Sequence, residues 1–310
     1  MFAARGLLVS LAFFATVYCP LSLLVALAGL GMKRMGRESV LTSANLLFGL
    51  RILPPAVSVM VTLFFTFPSF WLLERASLDE DAATFVLAVC SILILGAGLY
   101  RVLMAQARTT RAVSQWLTGT PSLGGDARIP TLRASHGAPP LILVGYRKPR
   151  VLVSDVATRV LSDDELQVAV RHELGHARAG DNLKRILISL TPFPGMGSLE
   201  SAWRNAAELA ADDAAVESPQ EALDLAAALL KVSRFAWQSP EFDLATGLVS
   251  CSSPISVRVD RLLHWRRADP RLRRTWPWTL PLGLTVIAVI ASNYGAALVF
   301  THRLTELLVP

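Results

Sequence analysis

Residues 162–180 read SDDELQVAVRHELGHARAG, and this stretch predicts a helix with its own start and stop signals. Ser162 followed three residues later by Glu165 is the pattern of a capping box, in which the two side chains satisfy backbone N–H groups at the helix start. Gly180 is the expected stop, because glycine readily adopts the left-handed conformation that ends many helices. We therefore expect one helix that runs to about Ala179.

The same helix carries the sequence HELGH, with His172 and His176 four residues apart. Positions i and i+4 lie on one face of a helix, so both imidazoles can reach one metal ion. Glu173 is expected to reach water beside the metal and to act as general base rather than as a ligand. The alternative is a surface helix with two solvated histidines. It is disfavoured because the chain has only five histidines, and two of them flank a glutamate in an independently predicted helix.

A third protein ligand is expected, because a catalytic zinc ion takes three and keeps one position open for water. Glu208 is the best candidate, since it lies on a second predicted helix, residues 199–216, and completes a His2Glu set. Asp212 is at i+4 from Glu208 and is expected to hydrogen-bond the outer nitrogen of a zinc-bound histidine. Without the upstream histidines, these two acids would indicate only a solvated helix face. The remaining histidines suit a ligand less well: His136, His264 and His302. The sequence thus predicts one Zn2+ per chain.

A β-hairpin is predicted ahead of the metal-binding helix. Short apolar runs rich in β-branched residues at 141–144 and 151–154 flank a turn at 146–149. The hairpin edge is expected to hold an extended substrate by β-augmentation, with a purely structural hairpin as the equal alternative. Tyr146 and Arg258 are both candidates for stabilising the negative charge of the transition state, and the sequence does not choose between them.

Three further segments complete this region. Residues 115–130 are rich in glycine and proline and predict a loop, and residues 221–233 predict a third helix. The apolar stretch 186–196 is too short to cross a bilayer. It predicts either a segment at the membrane interface or an ordinary core helix ended by Pro192 and Pro194.

Four long uncharged runs predict transmembrane helices, since about 20 helical residues cross about 30 Å of hydrocarbon. The runs are 6–32, 52–73, 82–100 and 275–301. Pro54 and Pro55 are expected to open the second run, where their missing N–H groups matter little. The alternatives are a signal peptide for the first run, which is longer than a usual signal-peptide core, and buried helices of a large soluble protein.

Charges next to these runs predict the orientation. Basic clusters lie at 33–37, 101–111 and 266–274, and Arg51 precedes the second run, whereas the loop at 74–81 contains four acidic residues. The positive-inside rule therefore places residues 101–274 in the cytoplasm and both termini outside, with a bacterial inner membrane as the expected cell membrane. The net charge of +6 suits anionic lipid and needs no nucleic acid.

Composition agrees with a membrane protein. The 310 residues are 53% hydrophobic and 17% charged, against about 25% charged in a typical soluble domain. This excludes a disordered chain, and the three distant cysteines indicate no disulfide framework. The predicted fold is an integral membrane protein, mainly α, with a cytoplasmic α+β zincin-like metallopeptidase domain between spans three and four. The predicted boundaries are 6–105 for three transmembrane helices, 106–274 for the zinc domain, 275–301 for the fourth span and 302–310 for a short extracytoplasmic tail.

The motif HELGHARAGDNL at 172–183, followed by ELAADDAA at 208–215, resembles the membrane zinc metallopeptidases related to the β-lactam sensor-transducers. These are antirepressor peptidases of the HExxH gluzincin type, and the predicted order of spans is also similar. The resemblance implies these roles: His172, His176 and Glu208 as zinc ligands, Glu173 as base and Asp212 as a supporting carboxylate. The family's extracellular sensor domain has no counterpart before Pro310, so β-lactam sensing by this polypeptide is not expected.

The resulting expectation is an integral-membrane zinc endopeptidase that cleaves a cytoplasmic or juxtamembrane protein, with a transcriptional repressor as one candidate substrate. Glu173→Ala is expected to be inactive and to keep its zinc. Expected partners are the protein substrate, the lipid bilayer and a sensor or repressor, without direct nucleic-acid binding. One alternative is a membrane peptidase of the CAAX-processing and heat-shock quality-control group, which the segment from Ser253 to Leu262 also resembles. The other is a non-catalytic membrane signalling scaffold.

Overall fold

The structure is a computed structural model that describes residues 2–34, 44–73, 82–117, 122–126, 129–134, 138–234, 246–247, 255–265 and 294–308. This part of the chain is mainly helical and contains one sheet. Its helices are α1 (Phe2–Arg34), α2 (Ala44–Val61), a π-helical turn (Thr62–Thr66), α3 (Phe67–Leu73), α4 (Ala82–Trp116), α5 (Asp155–Val160), α6 (Asp163–Ala179), α7 (Asp181–Leu190), α8 (Gly197–Ala215), α9 (Pro219–Ser233), α10 (Ile255–Leu263) and α11 (Tyr294–Leu308). Its strands are β1 (Ser122–Asp126), β2 (Ile129–Ala134), β3 (Leu141–Val144), β4 (Arg150–Ser154) and β5 (Thr246–Gly247).

Three of the described helical stretches are long and apolar enough to cross a membrane. They are Ala3–Gly31, Ala44–Leu73 and Ala82–Trp116, with 29, 30 and 35 residues. Large apolar side chains point outward from them: Leu93 is 65% exposed and Phe64 is 57% exposed, as lipid-facing residues would be. Residues 275–293 of the predicted fourth span lie outside the described residues. The last part of that span, residues 294–301, forms the beginning of α11, which continues past the predicted end of the span to Leu308.

The second candidate membrane helix begins earlier than predicted. The helix starts at Ala44, so Pro54 and Pro55 lie inside it rather than in its first turn. A proline inside a helix removes a backbone hydrogen bond, but membrane helices tolerate this where neighbouring groups satisfy the freed carbonyls. Arg51, predicted to stand ahead of the span, is instead inside the helix and fully buried. The segments 35–43, 74–81 and 266–274, whose charges carry much of the orientation prediction, lie outside the described residues.

The third candidate membrane helix continues without a break towards the sheet. α4 ends at Trp116, so the domain boundary predicted between residues 105 and 106 falls inside this helix. The Trp116 side chain packs in a small core with Ala134, Ile142 and Leu152 from three strands. The end of α4 and the sheet therefore share a small core.

The sheet has the strand order β1-β2-β4-β3-β5. β3 and β4 pair antiparallel, with Leu141 opposite Val153, which confirms the predicted hairpin. β2 runs parallel to β4. The predicted loop at 115–130 is wrong in part, because Ser122–Asp126 forms β1 and pairs with β2. Glycine-rich sequence favours a loop, but here backbone pairing with a neighbouring strand outweighs that local preference.

The helix predicted from residues 162–180 is confirmed. Ser162 Oγ accepts from the N–H of Glu165 at 3.3 Å, and Glu165 Oε2 accepts from the N–H of Ser162 at 2.9 Å, so the capping box is complete. Gly180 ends the helix with a φ of +69°. The predicted helices at 199–216 and 221–233 correspond to α8 and α9. α6 packs against both of them and against β3, which places the HELGH face towards α8.

Candidate metal centre

Four ionisable side chains are buried together where α6 passes α8. His172, Glu173 and His176 come from α6, Glu208 comes from α8, and none of them is more than 1% exposed. Burying such groups costs free energy unless they pair with one another or hold an ion. The structure thus brings together the three predicted ligands and the predicted base.

The three ligand side chains leave room for an ion. Their ligand atoms lie within 4.8 Å of one another. His172 Nε2 is 3.6 Å from Glu208 Oε2, and His176 Nε2 is 3.8 Å from Glu208 Oε1, both too long for a hydrogen bond. Zinc bonds of about 2.1 Å in a tetrahedron separate ligand atoms by about 3.4 Å. Within the described part of the chain, neither Nε2 atom has a hydrogen-bond partner. The group could therefore bind a metal ion.

The outer nitrogens of both histidines face carboxylates. His172 Nδ1 is 2.9 Å from Asp212 Oδ1, and His176 Nδ1 is 2.7 Å from Asp181 Oδ2. The His176 contact is a hydrogen bond, whereas the His172 contact is a close charge contact. A carboxylate beside Nδ1 favours the proton on that nitrogen and leaves the Nε2 lone pair for a metal. Asp212 lies where the sequence places it, four residues beyond Glu208 on α8.

Asp181 is the supporting residue that sequence reasoning missed. It is the first residue of α7, directly after Gly180, and only 2% of it is exposed. The left-handed Gly180 turns the chain back, so that the start of α7 lies beside the last turn of α6, which contains His176. The signal in the sequence was an acidic residue immediately after the predicted helix stop.

Replacing Asp181 by alanine is expected to weaken metal binding, measured with zinc, by about 10–100-fold, since it leaves the His176 ring without its orienting partner. A competition titration against a chromophoric zinc chelator measures this. Asp213→Ala is the control, because the Asp213 side chain is 36% exposed and pairs with Arg261 instead of a histidine. Equal zinc affinity in the two variants would show that Asp181 does not support the site.

Arg258 contacts two of the acidic residues of α8, Glu208 and Asp212. Its Nε and Nη2 donate to the two carboxylate oxygens of Asp212 at 2.8 and 2.6 Å, and its Nη1 lies 3.0 Å from Glu208 Oε2. The guanidinium is 1% exposed. Three of its nitrogens thus contact carboxylates, which is the geometry of a positioning residue. A direct role in stabilising the transition state stays a prediction.

Tyr146 lies elsewhere, in the turn after β3, and is 44% exposed. This turn is tied to α7 because Asn182 Nδ2 donates to the Gly145 carbonyl at 2.9 Å. Asn182 directly follows Asp181, so the end of β3 lies close to the metal-binding group. The role predicted for Tyr146 also stays a prediction.

Burial and pairing compete at each charged group of the site. Burial raises the pKa of Glu173 above its usual range, and the nearby histidines oppose this only in part. Burial would also raise the pKa of Glu208, but its contacts with His172 and His176 hold it well below the usual value. For His176, burial would lower the pKa, but Asp181 and Glu208 raise it to about 10. A metal ion therefore has to displace protons from the site as it binds.

A glycine allows the two helices to approach closely enough for this arrangement. A Cβ at Gly175 would lie 3.3 Å from the Cα of Ala211 on α8. This separation is tight for a side-chain carbon, so a larger residue there would push the helices apart. Gly175 lies between the two histidines of the HELGH motif, and Ala211 lies between Glu208 and Asp212, so this close approach occurs beside the ligands.

The edge of β3 already carries a short strand of the same chain. Ile142 is opposite Gly247 and Leu143 is opposite Thr246, in antiparallel pairing. This edge of the predicted hairpin therefore accepts an extended backbone, which is what β-augmentation requires.

Comparisons with known proteins give no family: no family model matches the chain, and no curated protein matches it.

Proposed function

We propose that this chain is an integral-membrane zinc metalloendopeptidase. The observation that carries the proposal is the convergence of His172, His176 and Glu208 within 4.8 Å, beside the buried carboxylate of Glu173. Two imidazoles and one carboxylate are a ligand set of catalytic zinc, which keeps a fourth position for water. The three candidate membrane helices support a location in a bilayer.

Zinc bound there would supply a Lewis acid that polarises a peptide carbonyl and makes water acidic near neutral pH. The burial of Glu173 beside the three ligands supports its proposed role as general base. It is 0% exposed, and neither of its carboxylate oxygens has a hydrogen-bond partner among the described residues. One oxygen takes the proton of the attacking water and then donates it to the leaving amine. The raised pKa of Glu173, caused by burial, favours holding that proton between the two transfers.

The substrate we propose is a protein segment in extended form. The pairing of Thr246 and Gly247 with β3 supports docking along this edge, where a substrate strand would take their place. The hydrogen bond from Asn182 to the Gly145 carbonyl also supports docking along this edge, since it keeps the end of β3 next to the start of α7. Main-chain hydrogen bonds along β3 would align the scissile peptide without requiring one particular side chain.

We further propose that the peptidase domain faces the cytoplasm of a bacterial cell, with both termini outside. Its substrate is then a cytoplasmic or juxtamembrane protein, and a repressor whose cleavage changes transcription fits this location. The motif resemblance to the β-lactam sensor-transducer peptidases supports this role, and a separate sensor partner would supply the signal.

Cleavage of denatured β-casein by the purified protein in lipid nanodiscs tests the proposed activity. We expect cleavage to stop with 1,10-phenanthroline, to resume when zinc is added, and to continue with 1,7-phenanthroline, an isomer that cannot chelate. Cleavage that persists in the chelating isomer would overturn the zinc mechanism. A preparation that holds one zinc per chain but cleaves neither casein nor any protein of a native membrane fraction would overturn the peptidase assignment.

A further inference from the structure

The carboxyl end of α7 is inserted among the candidate membrane helices. A Cβ at Gly98 of α4 would lie 1.8 Å from the carbonyl oxygen of Leu190, so only glycine allows this approach. From the other side, the Tyr18 hydroxyl of α1 donates to the carbonyl oxygen of Thr191 at 2.9 Å. The other end of α7 carries Asp181, which holds His176.

Arg51 of α2 closes this arrangement from a third side. Its Nη2 donates to the carbonyl oxygens of Ile188 at 3.1 Å and Thr191 at 2.8 Å. These carbonyls belong to the last turn and the cap of α7, where a helix has acceptors without partners and a partial negative charge. A guanidinium there supplies both a donor and the complementary charge.

The same side chain also holds α8. Arg51 Nε donates to Glu200 Oε1 at 2.9 Å, and Arg51 is 0% exposed. Glu200 lies eight residues before Glu208 on one unbroken helix. Eight residues rise about 12 Å and turn about 80° beyond two full helical turns, so Glu200 and Glu208 are held at a fixed separation and angle on one rigid helix.

Arg51 therefore touches both helices that complete the metal site. α7 ends at Arg51 and begins at Asp181, the partner of His176, while α8 passes Arg51 at Glu200 and carries Glu208 and Asp212. We propose that Arg51 is a positioning residue that holds α7 and α8 in the relative position at which Asp181 and Glu208 serve one metal ion. This inference rests on the proposed zinc function and assigns to a membrane helix the control of metal affinity.

Burying the charged side chain of Arg51 within a candidate membrane helix costs free energy unless its donors find partners there. Ionisable residues inside membrane segments are rare, and those that occur mark functional positions. An apolar side chain could fill the volume of Arg51, but it could not bind two carbonyls of α7 and a carboxylate of α8 at once. The fork of the guanidinium, with separate donors at Nε and Nη2, suits one residue to both helices.

The test measures zinc affinity by chelator competition, and the absorption spectrum of the Co2+-substituted protein, in nanodiscs. We expect Arg51→Gln to weaken zinc binding by about 10–100-fold, the range for residues that orient ligands, and to change the Co2+ spectrum. Arg51→Lys keeps the positive charge but loses the forked guanidinium. Its zinc affinity should therefore lie between those of wild type and Arg51→Gln. Arg101→Gln is the control, since Arg101 is an exposed arginine of α4.

Glu200→Gln separates positioning from folding. It loses the charged contact to α8 but leaves the cap of α7 intact, so it should fold and should weaken zinc binding by several-fold. The proposal is overturned if Arg51→Gln folds and keeps wild-type zinc affinity and an unchanged Co2+ spectrum. If Arg51→Gln does not fold, the same result for Glu200→Gln overturns it. A folded wild type that binds neither zinc nor Co2+ would instead overturn the proposed function itself.

Discussion

Glu173→Gln is expected to reduce peptide cleavage by about 10²–10⁴-fold while zinc stays bound. The amide has nearly the shape of the carboxylate but cannot take a proton from water. Glu173 contributes no atom to the group formed by His172, His176 and Glu208, so metal affinity should change little. The measurement is the rate of casein cleavage, together with the zinc content of the same preparation.

The control for this variant is Asp164→Asn, because Asp164 is an exposed carboxylate in the first turn of the same helix. It should cleave at the wild-type rate. If Glu173→Gln cleaves as fast as this control, Glu173 is not the base. If it loses its zinc as well as its activity, the loss of rate says nothing about proton transfer, and the assignment of Glu173 as a group outside the ligand set is wrong.

Arg258→Met is expected to lower the free energy of unfolding of the metal-free protein by about 3–5 kcal/mol, the usual cost of removing one partner of a buried ion pair. Arg258 is 1% exposed and contacts both Asp212 and Glu208, so its removal leaves two buried carboxylates without their cation. Contacts with Asp212 and Glu208 raise the pKa of the Arg258 guanidinium although its burial would lower it, so the side chain is charged in the buried site. Urea unfolding in mild detergent measures the difference.

Arg261→Met provides a matched comparison from the same helix. Arg261 pairs with Asp213, but the two side chains are 31% and 36% exposed. Because solvent screens such a pair, its loss should cost less than about 1 kcal/mol. Equal destabilisation by the two variants would show that Arg258 is not the cation that offsets the burial of Glu208 and Asp212.

The parts of the molecule that depend on local sequence could be predicted. The capping box of Ser162 and Glu165 and the stop at Gly180 involve backbone groups a few residues away, so the bounds of α6 follow from the sequence. His172 and His176 are four residues apart, as are Glu208 and Asp212. Helix periodicity alone therefore predicts that the members of each pair share one helix face. These rules placed the two faces but not their contact, which depends on the approach of α6 to α8 at Gly175.

The parts that depend on distant contacts could not be predicted. Nothing near Arg51 indicates that its partners are carbonyls at the end of α7 and a carboxylate on α8, more than 130 residues away. The positive-inside rule therefore assigned Arg51 to the loop ahead of the second apolar run. Asp181 was missed because its task depends on the path of the chain after Gly180. β1 was missed because its pairing partner, rather than its own glycine-rich sequence, makes it a strand.

The zinc content of the purified protein tests the proposed metal site, with wild type compared with His172→Ala and Glu208→Ala after zinc has been supplied and excess metal removed. We expect about one zinc per chain in wild type. We expect strongly reduced zinc in both variants, since each removes one of the three ligands. A well-folded wild type without zinc, or a Glu208→Ala variant that keeps its zinc, would contradict the His172, His176 and Glu208 ligand set.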